Sequence, residues 1–378
     1  MAIINVRSPK YVSIDDGALS YAVLKLFIWT GASSPVPSTE TYNIRKSGTF
    51  IVFFEIAELI RDYLDTTFNG DYSGQAVWVT TSLFAYDSND VEVADDGESF
   101  VAFDGYNYFE ESRGISIPNP IMITNRKLFV LEDNTFRVPI YTATSPTVTF
   151  LKDNEIVGTT SFTPSNQSSE QIKYVSIYGS DTNWDSFKER VLEDGGTDYE
   201  SNKCLEAYFN DYSIGAVDKI IVSDSDGIQA INVSILEECK YEPKKVTFVN
   251  KYGALQDMYF FKKAVEKMNV KKESYKSNIL DSNYVYNSSN HVYRDFNVVG
   301  KESITLSSGF LSEEYNEVFK QMMLSEKVWV TNIIEDGEQV LPINVKTSDI
   351  TYKTSLNDKL VEYTIEFDKS FDTINNIR

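Results

Sequence analysis

The stretch "KKVTFVNKYGALQDMYFFKKAVEKM", residues 244–268, is compatible with two different folds. Read as strands, the apolar runs "KVTFVN" and "LQDMYFF" flank the turn "KYGA", where Gly253 can adopt the positive φ that a tight turn often requires. Read as a helix, the apolar face would consist of Leu255, Met258, Tyr259, Val265 and Met268. The aromatic and β-branched content favours strands. We therefore predict a β-hairpin, with a helix over 254–268 as the alternative.

Much of the remaining chain has strand patterns. Apolar and β-branched runs such as "LSYAVLKLFIW" (19–29) and "QAVWVTTSLFAYD" (75–87) end in polar or turn-forming residues. In "TVTFLKDNEIVGTTSF" (147–162), the "KDNE" portion predicts a hairpin turn. Near the C-terminus, an alternation of core and solvent-facing residues predicts a half-buried strand. Its apolar members are Val361, Tyr363, Ile365 and Phe367.

Three segments have helical spacing. They are a short one in "FEIAELIRDYL" (54–64), "WDSFKERVLEDGG" (184–196) and "SEEYNEVFKQMMLSE" (312–326). The last carries a single apolar stripe formed by Tyr315, Val318, Phe319, Met322 and Met323. We predict that Ser312 caps this helix and that Glu313 and Glu314 lie in its first turn.

The order of these elements predicts three modules. Residues 1–118 are expected to form a β-sandwich with a short helix, and residues 119–243 a second β-sandwich, both of an immunoglobulin- or fibronectin-like type. Residues 244–378 are expected to form an α+β assembly module, in which one amphipathic helix packs on antiparallel strands. The proline-containing "SIPNPIMI" (116–123) is the predicted first linker. The predicted fold class is therefore mainly β.

The composition argues against several classes of function. A formal net charge of −21 disfavours generic binding to nucleic acid or to an anionic membrane. No apolar stretch is long enough to cross a bilayer, and the N-terminus lacks the pattern of a signal peptide, so we expect folding in a cytoplasm. Two cysteines, Cys204 and Cys239, are too few for a disulfide framework and lack metal-ligand spacing.

Few residues suggest catalysis. His291 is the single histidine, and none of the common catalytic or phosphate-binding motifs is present. The acidic stretch "DSNDVEVADDGESFVAFDG" (87–105) and "DSDG" (224–227) could supply paired carboxylates or calcium ligands, but we interpret both as polar turns between strands. We predict a protein that is not an enzyme, with no catalytic residue, cofactor or metal, although sequence spacing leaves a pair of glycosidase carboxylates possible.

The charge is distributed unevenly. Between Lys240 and Lys276 there are ten lysines and four acidic residues, a net of about +6, so the remaining chain carries about −27. We predict that this segment docks on the acidic face of a neighbouring subunit. A solvated basic face is the alternative, and lysine without arginine disfavours specific phosphate recognition. The predicted interface residues are Tyr259, Phe261, Lys262, Lys263, Lys267, Lys271 and Lys272.

Two segments carry a family resemblance. "VTFVNKYGALQDMYFFKK" (246–263) and "LPINVKTSDITYKTSLNDKLVEYTIEFDKSFDTINNIR" (341–378) resemble structural proteins of tailed bacteriophages and prophages, in particular of marine and Bacteroidota-infecting phages. The first matches through an "N-[RK]-[YF]-G" turn and the second through a "LNDKL" strand pair. The matching residues are Asn250, Lys251, Tyr252 and Gly253, then Asn357, Asp358, Lys359 and Leu360.

The resemblance implies a non-enzymatic virion component of the tail, baseplate or head-to-tail connector. Such a protein would form or decorate a symmetric homo-oligomeric ring, contact neighbouring virion proteins and be assembled in the host cytoplasm, with no membrane insertion and no specific nucleic acid. A carbohydrate- or receptor-binding β-sandwich protein, like an adhesin or tail fibre, is the alternative, in which exposed Tyr and Trp would stack on sugars.

Overall fold

The computed structural model describes most of the chain. The described residues are 2–72, 76–111, 121–131, 135–142, 144–161, 172–178, 217–225, 227–236, 238, 240–280, 283–334, 337–351 and 360–374. Within these ranges the protein is mainly β, with 23 strands and only two α-helices, α1 (Ala57–Arg61) and α2 (Tyr315–Leu324). The predicted fold class is confirmed. The helix predicted over 184–196 lies outside the described residues.

The N-terminal region is a two-layered β-structure. Its strands are β1 (Ala2–Asn5), β2 (Tyr11–Asp16), β3 (Tyr21–Trp29), β4 (Tyr42–Ser47), β5 (Phe50–Glu55), β6 (Ala76–Tyr86) and β7 (Glu92–Phe103). A five-stranded sheet has the order β1-β7-β6-β3-β4, and β2 pairs with β5. Every second residue of β3 is buried, because successive side chains of a strand point to opposite faces of the sheet. One apolar cluster joins β3 and β6 to β2, β5 and Ile60 of α1.

The middle region repeats this arrangement. Its strands are β8 (Lys127–Leu131), β9 (Thr135–Ile140), β10 (Thr147–Lys152), β11 (Glu155–Ser161), β12 (Lys173–Tyr178), β13 (Lys219–Asp224) and β14 (Gly227–Leu236). A five-stranded sheet has the order β11-β10-β13-β14-β8, and β12 pairs with β9. The "KDNE" turn forms as predicted, with Asp153 and Asn154 at positive φ.

The C-terminal region combines one large sheet with α2. Its strands are β15 (Lys244–Val249), β16 (Leu255–Phe260), β17 (Val265–Lys276), β18 (Tyr293–Ser307), β19 (Leu311–Ser312), β20 (Val328–Ile334), β21 (Gly337–Val345), β22 (Leu360–Val361) and β23 (Thr364–Lys369). Seven of them form a sheet in the order β16-β15-β20-β21-β23-β18-β17, and all its pairings are antiparallel. The predicted alternation at the C-terminus is confirmed: Val361, Tyr363, Ile365 and Phe367 are buried.

Helix α2 packs on this sheet through the predicted stripe, since Tyr315, Val318, Phe319 and Met322 are buried. The Phe319 ring lies 4.6 Å from the Tyr363 ring. The prediction that Ser312 caps the helix was wrong. The N-cap is Glu314, no side chain caps the helix, and Ser312 belongs to β19. Because pairing with β22 extends the backbone of Ser312, the first helical turn begins further along the chain.

The three regions share apolar clusters. One cluster contains Val148 of the middle region together with Phe260 and Phe367 of the C-terminal sheet. Another contains Trp78 of the N-terminal sheet, Tyr174 of β12 and Leu255 of β16. Ile121, Met122 and Ile123, at the end of the predicted linker, are fully buried. The division at 118 and 243 stays a prediction about folding units, because apolar clusters shared between the regions do not test whether each region folds alone.

Candidate assembly surface

The predicted hairpin of β15 and β16 is confirmed, and Asn250 organises its turn. The strands pair from Lys244 with Phe260 to Val249 with Leu255, which excludes the alternative helix. The Asn250 side chain is fully buried. Its Oδ1 accepts hydrogen bonds from the backbone N–H groups of Tyr252 (2.9 Å) and Ala254 (3.1 Å), which closes the turn.

The same turn contacts the other two regions. Asn250 Nδ2 donates to the Met122 carbonyl at 2.7 Å. Gly253 has a φ of 81°, as predicted, and a Cβ placed there would lie 2.8 Å from the backbone N of Asp104 and 2.9 Å from the Cβ of Phe103. Only glycine fits both the backbone conformation and the space. The motif Asn250–Gly253, which carries the family resemblance, therefore forms a buried joint between regions. We refer to residues 250–253 as the joint.

Lys251 extends the joint into a charged cluster. Its side chain is only 8% exposed and its Nζ pairs with the Glu111 carboxylate. The Nζ also lies over the Tyr108 ring, 4.5 Å from its centre, where the negative face of the ring attracts a cation. Burial, the largest single contribution, opposes ionisation of Glu111, but the hydrogen bonds from Lys251 and from the backbone N–H of Tyr108, together with the charges of Lys251 and Lys320, outweigh it and lower the pKa of Glu111.

Tyr108 links this cluster to α2. Its hydroxyl donates to Glu317 Oε1 at 2.7 Å, and the Nζ of Lys320 lies 3.6 Å from the ring centre. Burial, and then the hydrogen bond to Glu317, raise the pKa of Tyr108 far above its ordinary value. The phenol is therefore a neutral donor at all physiological pH values. Residues 108–111, the joint and α2 are thus held in one fixed arrangement.

The structure separates the predicted interface residues into two groups. Tyr259 and Phe261 are each only 6% exposed and belong to the core. Lys262 also belongs to this inner group, because it is half-buried and pairs with Glu238 at 2.6 Å. The second group is exposed and consists of Lys263, Lys267, Lys271 and Lys272. Tyr259 and Phe261 therefore anchor the segment in the core, whereas the four exposed lysines are in contact with solvent.

The exposed lysines lie on or next to a β-ribbon. We define the ribbon as β17, β18 and the connecting residues 277–292, of which 281–282 lie outside the described residues. All residues of β17 are exposed. β17 pairs with β18 over its whole length and is the edge strand of the seven-stranded sheet. A bulge between Lys271 and Glu273 interrupts the register.

The ribbon also exposes apolar side chains. Val265 is 37%, Met268 56% and Val270 50% exposed. Glu266 is paired with Ile304, and Ile304 is paired with the buried Phe367, so these three side chains lie on the core face of the sheet. Met268 and Val270 follow Glu266 at intervals of two residues and therefore lie on the same face, beyond the part of the sheet that is covered. Further out, the rings of Tyr275 and Phe296 meet edge to face at 5.7 Å. Exposed apolar clusters of this kind mark interaction surfaces.

A shallow groove of about 250 Å³ lies beside Met268 on the same face. Its lining includes the ion pair of Lys369 and Glu302. Because the Lys369 ammonium donates to the Glu302 carboxylate, the pKa of Glu302 is lowered. Most of the lining side chains are charged or polar, and Met268 and Ile304 are the apolar ones, so the groove suits a protein segment better than a small apolar ligand.

Most of the residues considered for catalysis are exposed, but Asp87 is half-buried and Asp104 is buried. His291 lies exposed in the connection between β17 and β18. Asp87 forms the predicted polar turn, since its Oδ1 accepts from the backbone N–H groups of Asn89 (2.7 Å) and Val91 (2.9 Å). The interpretation of the whole stretch 87–105 as a polar turn was wrong: Asp95 and Asp96 are exposed on β7, because Glu92–Phe103 pairs with β6. Over the described ranges no three His, Cys, Asp or Glu side chains are grouped so as to hold a metal ion, and no helix has the length and apolarity of a membrane span.

Comparisons with known proteins do not identify a family for this chain. No protein-family model matches the chain, and neither does any curated protein. Among solved structures, a crystal structure titled "CBD12 from CALX1.2" matches with 12% sequence identity over 46% of this chain and 70% of that one, at a TM-score of 0.18. A similarity at this level carries no functional argument.

Proposed function

We propose that this protein is a non-enzymatic structural component of a tailed-phage virion. It forms or decorates a symmetric ring in the tail, the baseplate or the head-to-tail connector, and it is incorporated during assembly in the host cytoplasm. The observation that carries the proposal is the ribbon: an edge strand exposed along its whole length that presents both lysines and apolar side chains. The two stretches resembling phage structural proteins lie in the same C-terminal region.

An uncovered ribbon is costly for a monomer and useful for an assembly. Two paired strands without further cover are only marginally stable in water. Exposed edges also invite pairing with other chains. Apolar residues such as Met268 and Val270 would be covered in an oligomer, and symmetry would repeat each contact around a ring. The lysines would meet the acidic surface that dominates the rest of the chain.

The joint supports the same proposal in a different way. A ring closes only if each subunit presents its two contact surfaces at a fixed angle. Gly253 packs directly on Asp104, and Asn250 bonds to Met122, so the ribbon-bearing sheet is fastened to the preceding regions. A protein that works through geometry benefits from such a fastening, and it needs no catalytic group.

The assembly state tests this proposal directly. Purified full-length protein should associate with increasing concentration in light scattering coupled to gel filtration, and negative-stain microscopy should show closed rings. Association should weaken between 0.1 M and 1 M salt, because the Debye length falls from about 10 Å to about 3 Å. A chain that stays monomeric at high concentration and low salt, and that does not join purified phage tails or connectors, would contradict the proposal.

A second candidate function is favoured by exposed tyrosines on the ribbon. Tyr284, Tyr286 and Tyr293 are 85%, 71% and 68% exposed and could stack on sugars. By contrast, Trp78 and Trp329 are buried. A glycan array with the intact chain, compared with a Tyr284→Ala/Tyr286→Ala variant, separates the two functions. Specific micromolar binding that the double substitution abolishes would favour a carbohydrate- or receptor-binding protein.

A further inference from the structure

A second exposed edge strand lies in the N-terminal sheet, with the opposite charge. β7 pairs with β6 along its length, but β1 covers only Phe100–Phe103 on its other side. Over the part of the chain that the structure describes, Glu92–Ser99 has a strand neighbour on one side only. This stretch carries Glu92, Asp95, Asp96 and Glu98, all exposed. We call Glu92–Ser99 the acidic edge and β17 the basic edge.

The surroundings of the two edges strengthen the contrast. Between Arg61 and Arg113 the chain contains no lysine or arginine and twelve acidic residues. From Lys262 to Lys276 it contains six lysines and two glutamates, a net charge of +4. The Lys272–Asp295 pair, at 2.7 Å, is a local ion pair on the ribbon, whereas the acidic edge forms no ion pair within the described residues. Each edge therefore carries a field that the other would neutralise.

We infer that the basic edge of one copy pairs, strand to strand, with the acidic edge of the next copy. The inference deepens the proposed function, on which it rests, by naming the partner and the surface. Both edges expose a row of backbone groups that a further strand can satisfy. The acidic edge, about eight residues or about 26 Å at about 3.3 Å per residue, is short enough to pair entirely with the twelve-residue β17.

Charge also decides against the competing pairings. Two basic edges would place lysines opposite lysines, and two acidic edges would place carboxylates opposite carboxylates; like charges across a strand pair are destabilising. Only the mixed pairing is attractive, so each copy has one donor edge and one acceptor edge. Such a head-to-tail contact generates rings when the rotation closes and filaments when it does not. Met268 and Val270 would be covered by the incoming strand and its sheet.

Charge exchange provides the test. In the first variant Lys267, Lys271 and Lys272 are changed to Glu, and in the second Asp95, Asp96 and Glu98 are changed to Lys. We expect each variant alone to associate at least tenfold more weakly than the parent protein. An equimolar mixture should associate again, because each variant then offers the edge that the other requires. A chain carrying all six changes should also assemble.

Matched controls separate edge pairing from general charge effects. One control changes the lysines at 46, 152 and 240 to Glu, and the other changes Glu58, Asp62 and Asp71 to Lys; all lie outside the two edges. We expect both to assemble like the parent. Circular dichroism and the unfolding midpoint of every variant should match the parent, since the changed residues are exposed, apart from Lys152, which is half-buried at the end of β10.

Hydrogen exchange decides whether backbone pairing takes place. On assembly of the parent protein, the amides of 265–276 and 92–99 should both become protected by at least tenfold, and protection should return in the mixture. Two results would overturn the inference but leave the proposed ring intact. In the first, the parent protein assembles but the mixture of variants stays dissociated. In the second, the parent protein assembles but neither segment gains protection. A parent protein that never associates would overturn both.

Discussion

The hairpin of β15 and β16 and the ribbon of β17 and β18 contain neighbouring parts of one lysine-rich segment, yet they have opposite environments. Lys245 and Lys251, in or beside the hairpin, are buried, whereas Lys267 and Lys271 on the ribbon are exposed. The hairpin is at one edge of the seven-stranded sheet and the ribbon is at the other. One edge is covered by the preceding regions and became interior. The other is uncovered, and its side chains are exposed.

The strongest test of this comparison is Gly253→Ala at the joint. A non-glycine residue at a φ of 81° costs about 1–2 kcal/mol, and the new Cβ would contact Asp104 and Phe103, which adds about 1–3 kcal/mol of overpacking. We expect the free energy of unfolding in urea to fall by about 2–5 kcal/mol. Gly31→Ala is the matched control, because Gly31 also has a positive φ (88°) but no atom within 4 Å of the added Cβ. Equal losses in both variants would show that the joint is loosely packed.

Asn250→Ala should have the next largest effect. The substitution removes the acceptor for the N–H groups of Tyr252 and Ala254 and the donor to Met122. Buried polar groups left unpaired cost about 1–3 kcal/mol each, and we expect a total loss of about 2–4 kcal/mol in urea unfolding. Asn43→Ala, which removes an exposed bond to Glu40, is the control and should cost less than about 0.5 kcal/mol. A small effect at Asn250 would mean that water enters the joint.

Two lysine–carboxylate pairs compare the interior with the surface. Glu111→Gln leaves the buried Lys251 without its charged partner, and we expect a loss of about 1–3 kcal/mol in the free energy of unfolding. Asp295→Asn breaks the pair with Lys272, whose side chains are 58% and 42% exposed, and should cost about 0–0.5 kcal/mol. Similar values for the two substitutions would remove the distinction between hairpin and ribbon.

The pH dependence of the first pair follows from its pKa. Because the folded-state pKa of Glu111 is lowered from 4.5, the pair contributes stability above that pH, and this contribution is lost as pH falls through the folded-state pKa. The difference in unfolding free energy between the parent and Glu111→Gln should therefore be full at pH 7 and shrink steadily below about pH 4.5. A difference that is constant down to pH 3 would indicate that the carboxylate charge is unimportant.

Val270→Ser on the ribbon should have the smallest effect on folding, and its effect on assembly should be larger than its effect on the stability of the monomer. Since Val270 is 50% exposed, the unfolding free energy of the monomer should change by less than about 0.5 kcal/mol. Assembly, measured by light scattering, should weaken severalfold because an apolar contact between copies is lost. Val130→Ser, at a fully buried position of β8, is the opposite control and should destabilise the monomer itself. Unchanged assembly by Val270→Ser would place the contact elsewhere.

Much of the local structure could be predicted from the amino-acid sequence. Alternation predicted which residues of the C-terminal strand face inward, the spacing of apolar residues predicted the buried stripe of α2, and Gly253 predicted the hairpin turn. These features depend on residues close in the chain, so their periods and turn preferences are visible in the sequence. The same reasoning failed at Ser312, where pairing with the distant strand β22 overrode a local capping preference.

The environment of the lysine-rich segment, by contrast, depends on long-range contacts that the sequence does not show. Whether a strand lies inside a sheet or at its edge depends on partners far away in sequence: β15 pairs with β20, and β17 has only β18 beside it within the described residues. The burial of Lys251 depends on Glu111, and the requirement for glycine at 253 includes the approach of Asp104. Net charge is a sum over residues, whereas exposure is set by long-range packing. The sequence therefore shows a basic segment, whereas the fold determines that Lys251 is buried in the joint and that β17 is an exposed edge strand.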